Sequence, residues 1–327
     1  MCFFYIKQTY FTSINCISLT KLANVTLNSS FVLNTSGVGG KKEFVKQVKD
    51  FKKIYIYAVS RNIVEDLANM ETRPTFLSLV DETGTGTDVI SKLQKHKVNT
   101  NYMKVVKDGM GMWLALFDHT GNLAGSISKR PDLQPIYDIL LEHGDEIISN
   151  ADSIALELDL EHDVVKEVFR LAQKYDKQVF AVISNMSIAL ERRDFFQKLD
   201  CFVCNQLESG MLFIKDLENL SPEELLEQLP TLSQRAGIRK MVVTMGEKGA
   251  VYYSEDGESG ICPALKVDVV DTTGAGDAFF SGITSGITYG KSLKESCEIG
   301  TRLSASVITT KDNVCPRFRP EEFGITI

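Results

Sequence analysis

The sequence predicts an α/β protein: a mostly parallel sheet carries helices on both faces, and a small antiparallel sheet stands beside it. Three observations predict this. From residue 53 onward, short apolar runs of strand length alternate with longer segments whose apolar residues recur at helical spacing, the order a parallel sheet with crossover helices requires. Between 103 and 130 the alternation is interrupted by strand-like runs joined at Asp118-His119-Thr120-Gly121, which is hairpin chemistry. With 327 residues, 43% of them hydrophobic, the chain can bury a sizeable core. No internal repeat or low-complexity linker divides it, so 1–327 reads as a single domain, with the small sheet drawn from parts of 24–57 and 103–130.

Residues 1–27 are apolar and aromatic but broken by Gln8, Thr9, Thr12, Ser13, Asn15, Ser18 and Thr20, so they lack the roughly 20 apolar residues of a membrane helix. Only Lys7 supplies a basic start and no clear small-residue cleavage site follows, so a signal peptide is not expected either. Ser30–Asn34 reads as a strand, Gly37–Gly40 as a turn and Glu43–Phe51 as a helix or strand pair. Lys53–Val59 reads as a strand, and Asn62, Ile63, Val64, Leu67 and Met70 then repeat at helical spacing. Thr75–Val80 is the next strand, followed by a helix through Ile90 and Leu93 and by strands at Met103–Val106, Met112–Asp118 and Asn122–Ser128. Regular alternation follows: helices near Ile136–His143, Asp163–Tyr175 and Ile188–Gln197, with strands at Ser153–Glu157, Gln178–Ile183 and Cys201–Cys204 between and after them. Ser221–Gln228 and Pro230–Ala236 read as two helices, Lys240–Thr244 and Ala250–Tyr253 as strands, and Leu293–Thr310 as a helix rich in small residues.

The composition excludes several function classes. Thirty-six basic residues against 43 acidic ones give a net charge of −7, and no Lys/Arg cluster is interleaved with aromatics, so no nucleic-acid surface is expected. Seven cysteines spread over the chain fit reduced thiols in a cytoplasmic protein rather than a disulfide framework. Cys201-Phe202-Val203-Cys204 has redox or zinc spacing, but it lies in an apolar run and no second such pair completes a metal set. No strand is followed by Gly-x-Gly-x-x-Gly with an acid about 20 residues on, which argues against a dinucleotide dehydrogenase.

The chemistry concentrates in Val269-Val270-Asp271-Thr272-Thr273-Gly274-Ala275-Gly276-Asp277-Ala278. The apolar run ending at Val270 reads as a buried strand, and the segment from Ala275 as a helix, so the glycines fall where strand becomes helix. The first turn of a helix leaves backbone N–H groups without partners, and Gly274 and Gly276 carry no side chain to keep an anion away from them. Asp277 then stands beside that anion, placed to take a proton from a hydroxyl that attacks phosphorus. None of the four histidines lies near a glycine-rich turn, and no Gly-Lys-Ser/Thr ending makes the loop a Walker A motif. A well-capped helix is the plain alternative for such a turn.

Two further stretches follow strands. Asn205-Gln206-Leu207-Glu208 could hold magnesium through its waters, or it could be a helix N-cap with Glu208 closing a capping box. Thr244-Met245-Gly246-Glu247-Lys248-Gly249 brings a hydroxyl and two glycines where backbone could approach a nucleotide, or it is an ordinary hairpin turn.

Taken together, Asp271–Asp277, Asn205–Glu208 and Thr244–Gly249 resemble the ribokinase-like (PfkB) carbohydrate and nucleoside kinase family, over roughly 60–312. The resemblance implies a Rossmann-like core with a small β lid and transfer of the ATP γ-phosphoryl group, with Mg2+, to a hydroxyl of a small-molecule sugar or nucleoside. It implies Gly274, Ala275 and Gly276 as the anion hole and Asp277 as the base. Nucleotide contacts fall to Asn205, Thr244, Gly246 and Gly249, magnesium to Glu208, and a monovalent cation such as K+ to the neighbourhood of Asp271 and Thr273. On the acceptor side it points to Asn62 and to Thr26, where the family has an aspartate; Met110, Met112 and Trp113 could floor a base or sugar in the lid, or be the plain core of a strand. Tyr57-Ala58 also replaces the family's Gly-Gly. Asp108–Ala115, Ser126–Pro131 and Asn313–Phe318 look most like pseudouridine-kinase-type members, with ribokinase or another nucleoside kinase as the alternative. A catalytically silent sensor is the reading from another class, motivated by Thr26 and Tyr57 and opposed by an intact Asp277. No membrane association is expected, and lid edge strands could pair two copies into a homodimer.

Overall fold

The computed structural model describes residues 2–6, 31–34, 54–56, 59–117, 123–158, 160–183, 186 and 190–326. Thr26, Tyr57, Ala58, the turn at 37–40, the segment 43–51 and the hairpin turn at 118–121 lie outside the described residues.

The described strands make a nine-stranded sheet in the order β13-β12-β11-β10-β9-β8-β1-β4-β5. These are β1 (Cys2–Ile6), β4 (Thr75–Val80), β5 (Met103–Val105), β8 (Ala151–Glu157), β9 (Gln178–Val182), β10 (Cys201–Asn205), β11 (Lys240–Thr244), β12 (Ala250–Ser254) and β13 (Ser259–Cys262). Pairing is parallel from β11 through to β5, and β12 and β13 close one side antiparallel. A separate antiparallel sheet has the order β2-β7-β6-β3, from β2 (Phe31–Asn34), β3 (Ile54–Ile56), β6 (Met112–Phe117) and β7 (Leu123–Lys129). Of the span 103–130, β6 and β7 therefore join the small sheet, whereas β5 pairs with β4 as the edge of the main one.

Eight helices of two turns or more are described: α1 (Val59–Asn69), α2 (Gly84–Lys95), α3 (Gln134–Ser149), α4 (His162–Lys174), α5 (Gln206–Phe213), α6 (Pro222–Ala236), α7 (Ala275–Thr288) and α8 (Leu293–Ile308). Side chains alternate along each strand, so one face of the sheet packs Leu77, Leu156, Val179, Phe202 and Met241 against α3, α4 and α6. The other face packs Phe76, Ala155, Phe180, Val203 and Val242 against α1, α2 and α7. Cys201 falls in the second cluster and Cys204 in the first, so the two thiols of the Cys-x-x-Cys run lie in different cores. Burial pushes Cys201 up to about 12 and Cys204 well above the ordinary thiol range, which suits packing rather than thiolate chemistry.

The structure corrects four expectations. The helix α6 is continuous through Pro230, because Leu225, Leu229 and Leu232 bury one face on both sides of it and outweigh the lost backbone bond. Between 188 and 197 the described residues form a 3-10 turn and a single helical turn, Arg193–Phe196, whose Phe195 stacks on Phe169 and Phe196 edges onto Phe202. Val59 begins α1 rather than ending a strand. Val269 and Val270 do not form a buried strand: they are 59% and 54% exposed in an irregular connection, held by the Val270 N–H donating to Ile308 O at 2.7 Å.

Candidate active site

The glycine-rich turn enters α7 as expected, although from an exposed connection. Gly274 is the N-cap at φ +85°, the left-handed region, and a Cβ on it would sit on the carbonyl of Asn313. Gly276 differs: a Cβ there would meet nothing within 4 Å, so space is open in front of the first helical turn. The Ala275 N–H reaches Thr272 O at 3.2 Å and the Ala278 N–H reaches Gly274 O at 2.9 Å. The Gly276 N–H lies between them, at the positive end of the helix dipole. Such a helix start can cradle an anion, and the space at Gly276 leaves room for one. Behind it, Gly282 of α7 packs on the backbone of Gly300 in α8, where a side chain would not fit.

Asp277, third residue of α7, receives the second part of the site from α1. Every residue of α1 from Ser60 to Asn69 is buried, although the helix carries Arg61, Asn62, Glu65, Asp66 and Asn69. Buried polar groups must find partners or cost stability. Those partners fix the site. Asn62 donates Nδ2 to Asp277 Oδ2 at 2.7 Å, Asn313 donates Nδ2 to Asn62 Oδ1 at 3.0 Å, and Arg61 donates Nη2 to Asn313 Oδ1 at 3.2 Å. Arg61 Nη1 also donates to Glu65, which is met at 3.0 Å by Lys92 Nζ and at 3.4 Å by His96 Nε2. A guanidinium can only donate, so it turns each amide in the series the same way and leaves an N–H facing Asp277.

Asp66 adds a buried acid beside this series. Its Oδ1 accepts the Cys315 N–H at 2.6 Å, while Oδ2 has no hydrogen-bond partner among the described residues. Burial pushes the Asp66 carboxyl well above the usual carboxylate range; the Cys315 amide pulls the other way, and the charges of Asp277 and Glu65 add to the push.

Asn205 and Thr244 occupy the C-terminal ends of adjacent parallel strands, where open α/β sheets bind ligands. Asn205 ends β10 and stands opposite Thr244 at the end of β11, whose hydroxyl donates to Cys204 O at 3.4 Å. Gly246 (φ +59°) and Gly249 (φ +92°) bracket the turn into β12, and a Cβ on Gly249 would collide with the backbone at Cys262 and Pro263. Asn205 and Glu208 form a capping box for α5: Glu208 N–H to Asn205 Oδ1 and Asn205 N–H to Glu208 Oε2, each 2.8 Å. The helix-cap alternative is thus realised, with Glu208 still half-buried rather than enclosed. Asp271 accepts the Thr273 N–H at 2.9 Å. Met112 lies in β6 opposite Lys129. Among the described residues no cluster of three His, Cys, Asp or Glu side chains could enclose a metal ion. Sequence reasoning missed Arg61, Glu65 and Asp66; the usable signal was a helix carrying an Arg–Glu pair four residues apart within an apolar pattern.

A model of the "pfkB family carbohydrate kinase" matches residues 59–315. The chain is 33% identical over 255 residues to a guanosine-inosine kinase of Exiguobacterium acetylicum, covering 77% of this chain and 83% of that protein. It is 24% identical over 253 residues to the pseudouridine kinase of Escherichia coli, covering 77% and 79%. Its fold matches an Arabidopsis thaliana ribokinase solved with ribose and ATP, with a TM-score of 0.67 at 17% identity over 82% of this chain and 86% of that one.

Proposed function

The chain belongs to the pfkB carbohydrate kinase family, a phosphotransferase family acting on sugar and nucleoside hydroxyls, and from that premise we propose that it phosphorylates a nucleoside, with Asp277 as the base. The observation that carries this reading is Asp277 in the first turn of α7, clamped by Asn62 and next to the open space at Gly276. The hydroxyl oxygen attacks the γ-phosphorus, its proton passes to the Asp277 carboxylate, and the bond to the leaving ADP oxygen breaks. The Gly276 N–H and the α7 dipole stabilise charge that develops on the transferred group.

The residues present fit a nucleotide. The cradle at Gly274–Gly276 suits its phosphates, and Asn205, Thr244 and the Gly246–Gly249 turn lie where the nucleotide would extend along the strand ends. Magnesium would supply charge neutralisation on the phosphates when bound, and the half-buried Glu208 would hold it through water. A monovalent cation near Asp271 belongs to the same proposal, since Asp271 and Val270 are tied to the Ile308 carbonyl at the base of this loop. Replacing K+ by Na+ in the assay tests it.

A nucleoside rather than a free sugar is favoured by the guanosine-inosine kinase and pseudouridine kinase relatives. The test is ADP release from Mg-ATP with guanosine, inosine, pseudouridine, uridine and ribose. Turnover with a nucleoside at much higher kcat/KM than ribose is expected; ribose as the preferred acceptor would overturn the nucleoside reading. The small sheet would cover the acceptor, and pairing of its edge strands β2 and β3 across a two-fold axis would make a homodimer, which sedimentation velocity would detect.

A further inference from the structure

The relay that ends on Asp277 begins at a cleft of about 710 Å3 between the C-terminal end of α2, the end of α1 and residues 310–321. One wall presents Arg73, Lys92, Lys95 and Lys97 with His96. Among the described residues Arg73, Lys95 and Lys97 have no ion-pair partner; Lys92 is half exposed and shared with Glu65. Asp312 and Glu321 line the same cleft, as do Glu71 and its ion-pair partner Arg317. Cations in a concave site recognise a phosphate, and carboxylates in the same cleft accept hydrogen bonds from hydroxyls. The volume is far larger than a phosphate ion needs and lies in the range of small-molecule sites.

We propose that this cleft is an effector site for a phosphate monoester of a polyhydroxy compound, the chemical class of the kinase's own product, and that its occupant inhibits through the relay. The coupling follows from the shared carboxylate. Glu65 lines the cleft and is held at once by Lys92, His96 and Arg61. A phosphate that draws Lys92 towards itself leaves Arg61 as the remaining permanent cation on a 1% exposed carboxylate. Arg61 then turns its Nη2 to the Glu65 oxygen that Lys92 has left and away from Asn313, 3.2 Å distant, and the amide series to Asp277 loses its direction. The effector thus changes kcat without touching the nucleotide or acceptor. This inference rests on Asp277 as the base, and its binding half is measured independently of turnover.

The experiment uses the full chain with ribose 5-phosphate as the monoester probe and inorganic phosphate as the second arm. Calorimetry on protein saturated with Mg2+ and a non-hydrolysable ATP analogue is expected to show one saturable ribose 5-phosphate site, weakened at least ten-fold in the Lys95→Glu/Lys97→Glu double variant. At saturating ATP and acceptor, ribose 5-phosphate is expected to lower wild-type kcat about five-fold or more, the lower end of ordinary allosteric coupling. Arg61→Lys, which keeps the charge and loses the fork, is expected to bind the probe while its own kcat no longer responds. Inhibition relieved by excess acceptor and unchanged in the double variant would assign the effect to the catalytic site and overturn the proposal. So would binding that leaves kcat unaltered, absence of binding, or inorganic phosphate acting as strongly as the monoester. If no acceptor is turned over, the kinase reading fails, and the calorimetric comparison of wild type with the double variant still decides the cleft.

Discussion

Asn62 and Asp277, separated by 215 residues of chain, meet through a side-chain hydrogen bond of 2.7 Å. The contact joins a buried polar helix, α1, to the first turn of α7 and makes the carboxylate there a held group rather than a freely rotating one.

Asp277→Asn keeps the shape of the side chain and removes the proton acceptor. It is expected to lower kcat by about 10²- to 10⁴-fold, the usual contribution of general base catalysis, with little change in the nucleotide dissociation constant. Steady-state assays beside equilibrium titration with an ATP analogue check this, and a kcat within ten-fold of wild type would remove Asp277 from the base role.

Asn313 reaches Asp277 through Asn62, and with Asp277 as the proposed base it is a positioning residue. Asn313→Ala is expected to reduce kcat about ten-fold while leaving KM for ATP within two-fold, because the lost direction of the Asn62 amide matters to the base alone. Equal changes in both constants, tracking a fall in melting temperature, would mark a merely structural role.

The two glycines of the turn are expected to separate stability from function. Gly274→Ala forces a side chain onto the Asn313 carbonyl at φ +85° and is expected to cost about 1–3 kcal/mol of stability. Gly276→Ala has open space and a better helix former, so its melting temperature is expected to equal or exceed wild type, while the methyl group blocks the anion and kcat/KM for ATP falls. Thermal melts and kinetics on both proteins make the comparison.

Asp66 gives a pH prediction. Its folded-state pKa is raised, so its contribution to stability is complete below the unfolded value of about 3.9 and is lost as pH rises through the folded value. Asp66→Asn abolishes that loss. The stability of the variant minus that of wild type is expected to grow with pH by up to about 1.4 kcal/mol per unit within this window, measured by urea unfolding at pH 5 and pH 8. A constant difference would show that Asp66 ionises as readily in the folded protein as in the unfolded chain.

The sequence by itself determined the local features whose physics is local. Strand and helix periodicities located β4 from Thr75 to Val80 and α4 within a residue of its ends, and the string Asp271–Asp277 located the glycine turn that opens α7, since a left-handed glycine followed by a helical first turn is written in consecutive residues. Where two readings competed for the same local pattern, it left both: Asn205 to Glu208 fits a cap or a magnesium site, and the capping box became visible once backbone and side-chain atoms had positions. An apolar pair such as Val269-Val270 shows strand character but not whether another strand lies beside it, which is why it stands exposed here. Tertiary structure alone decided which polar residues of α1 face one another, because Asn62, Asn313 and Asp277 are brought together by helices packing across the sheet, and hydrogen-bond partners hundreds of residues apart leave no periodic trace in the chain.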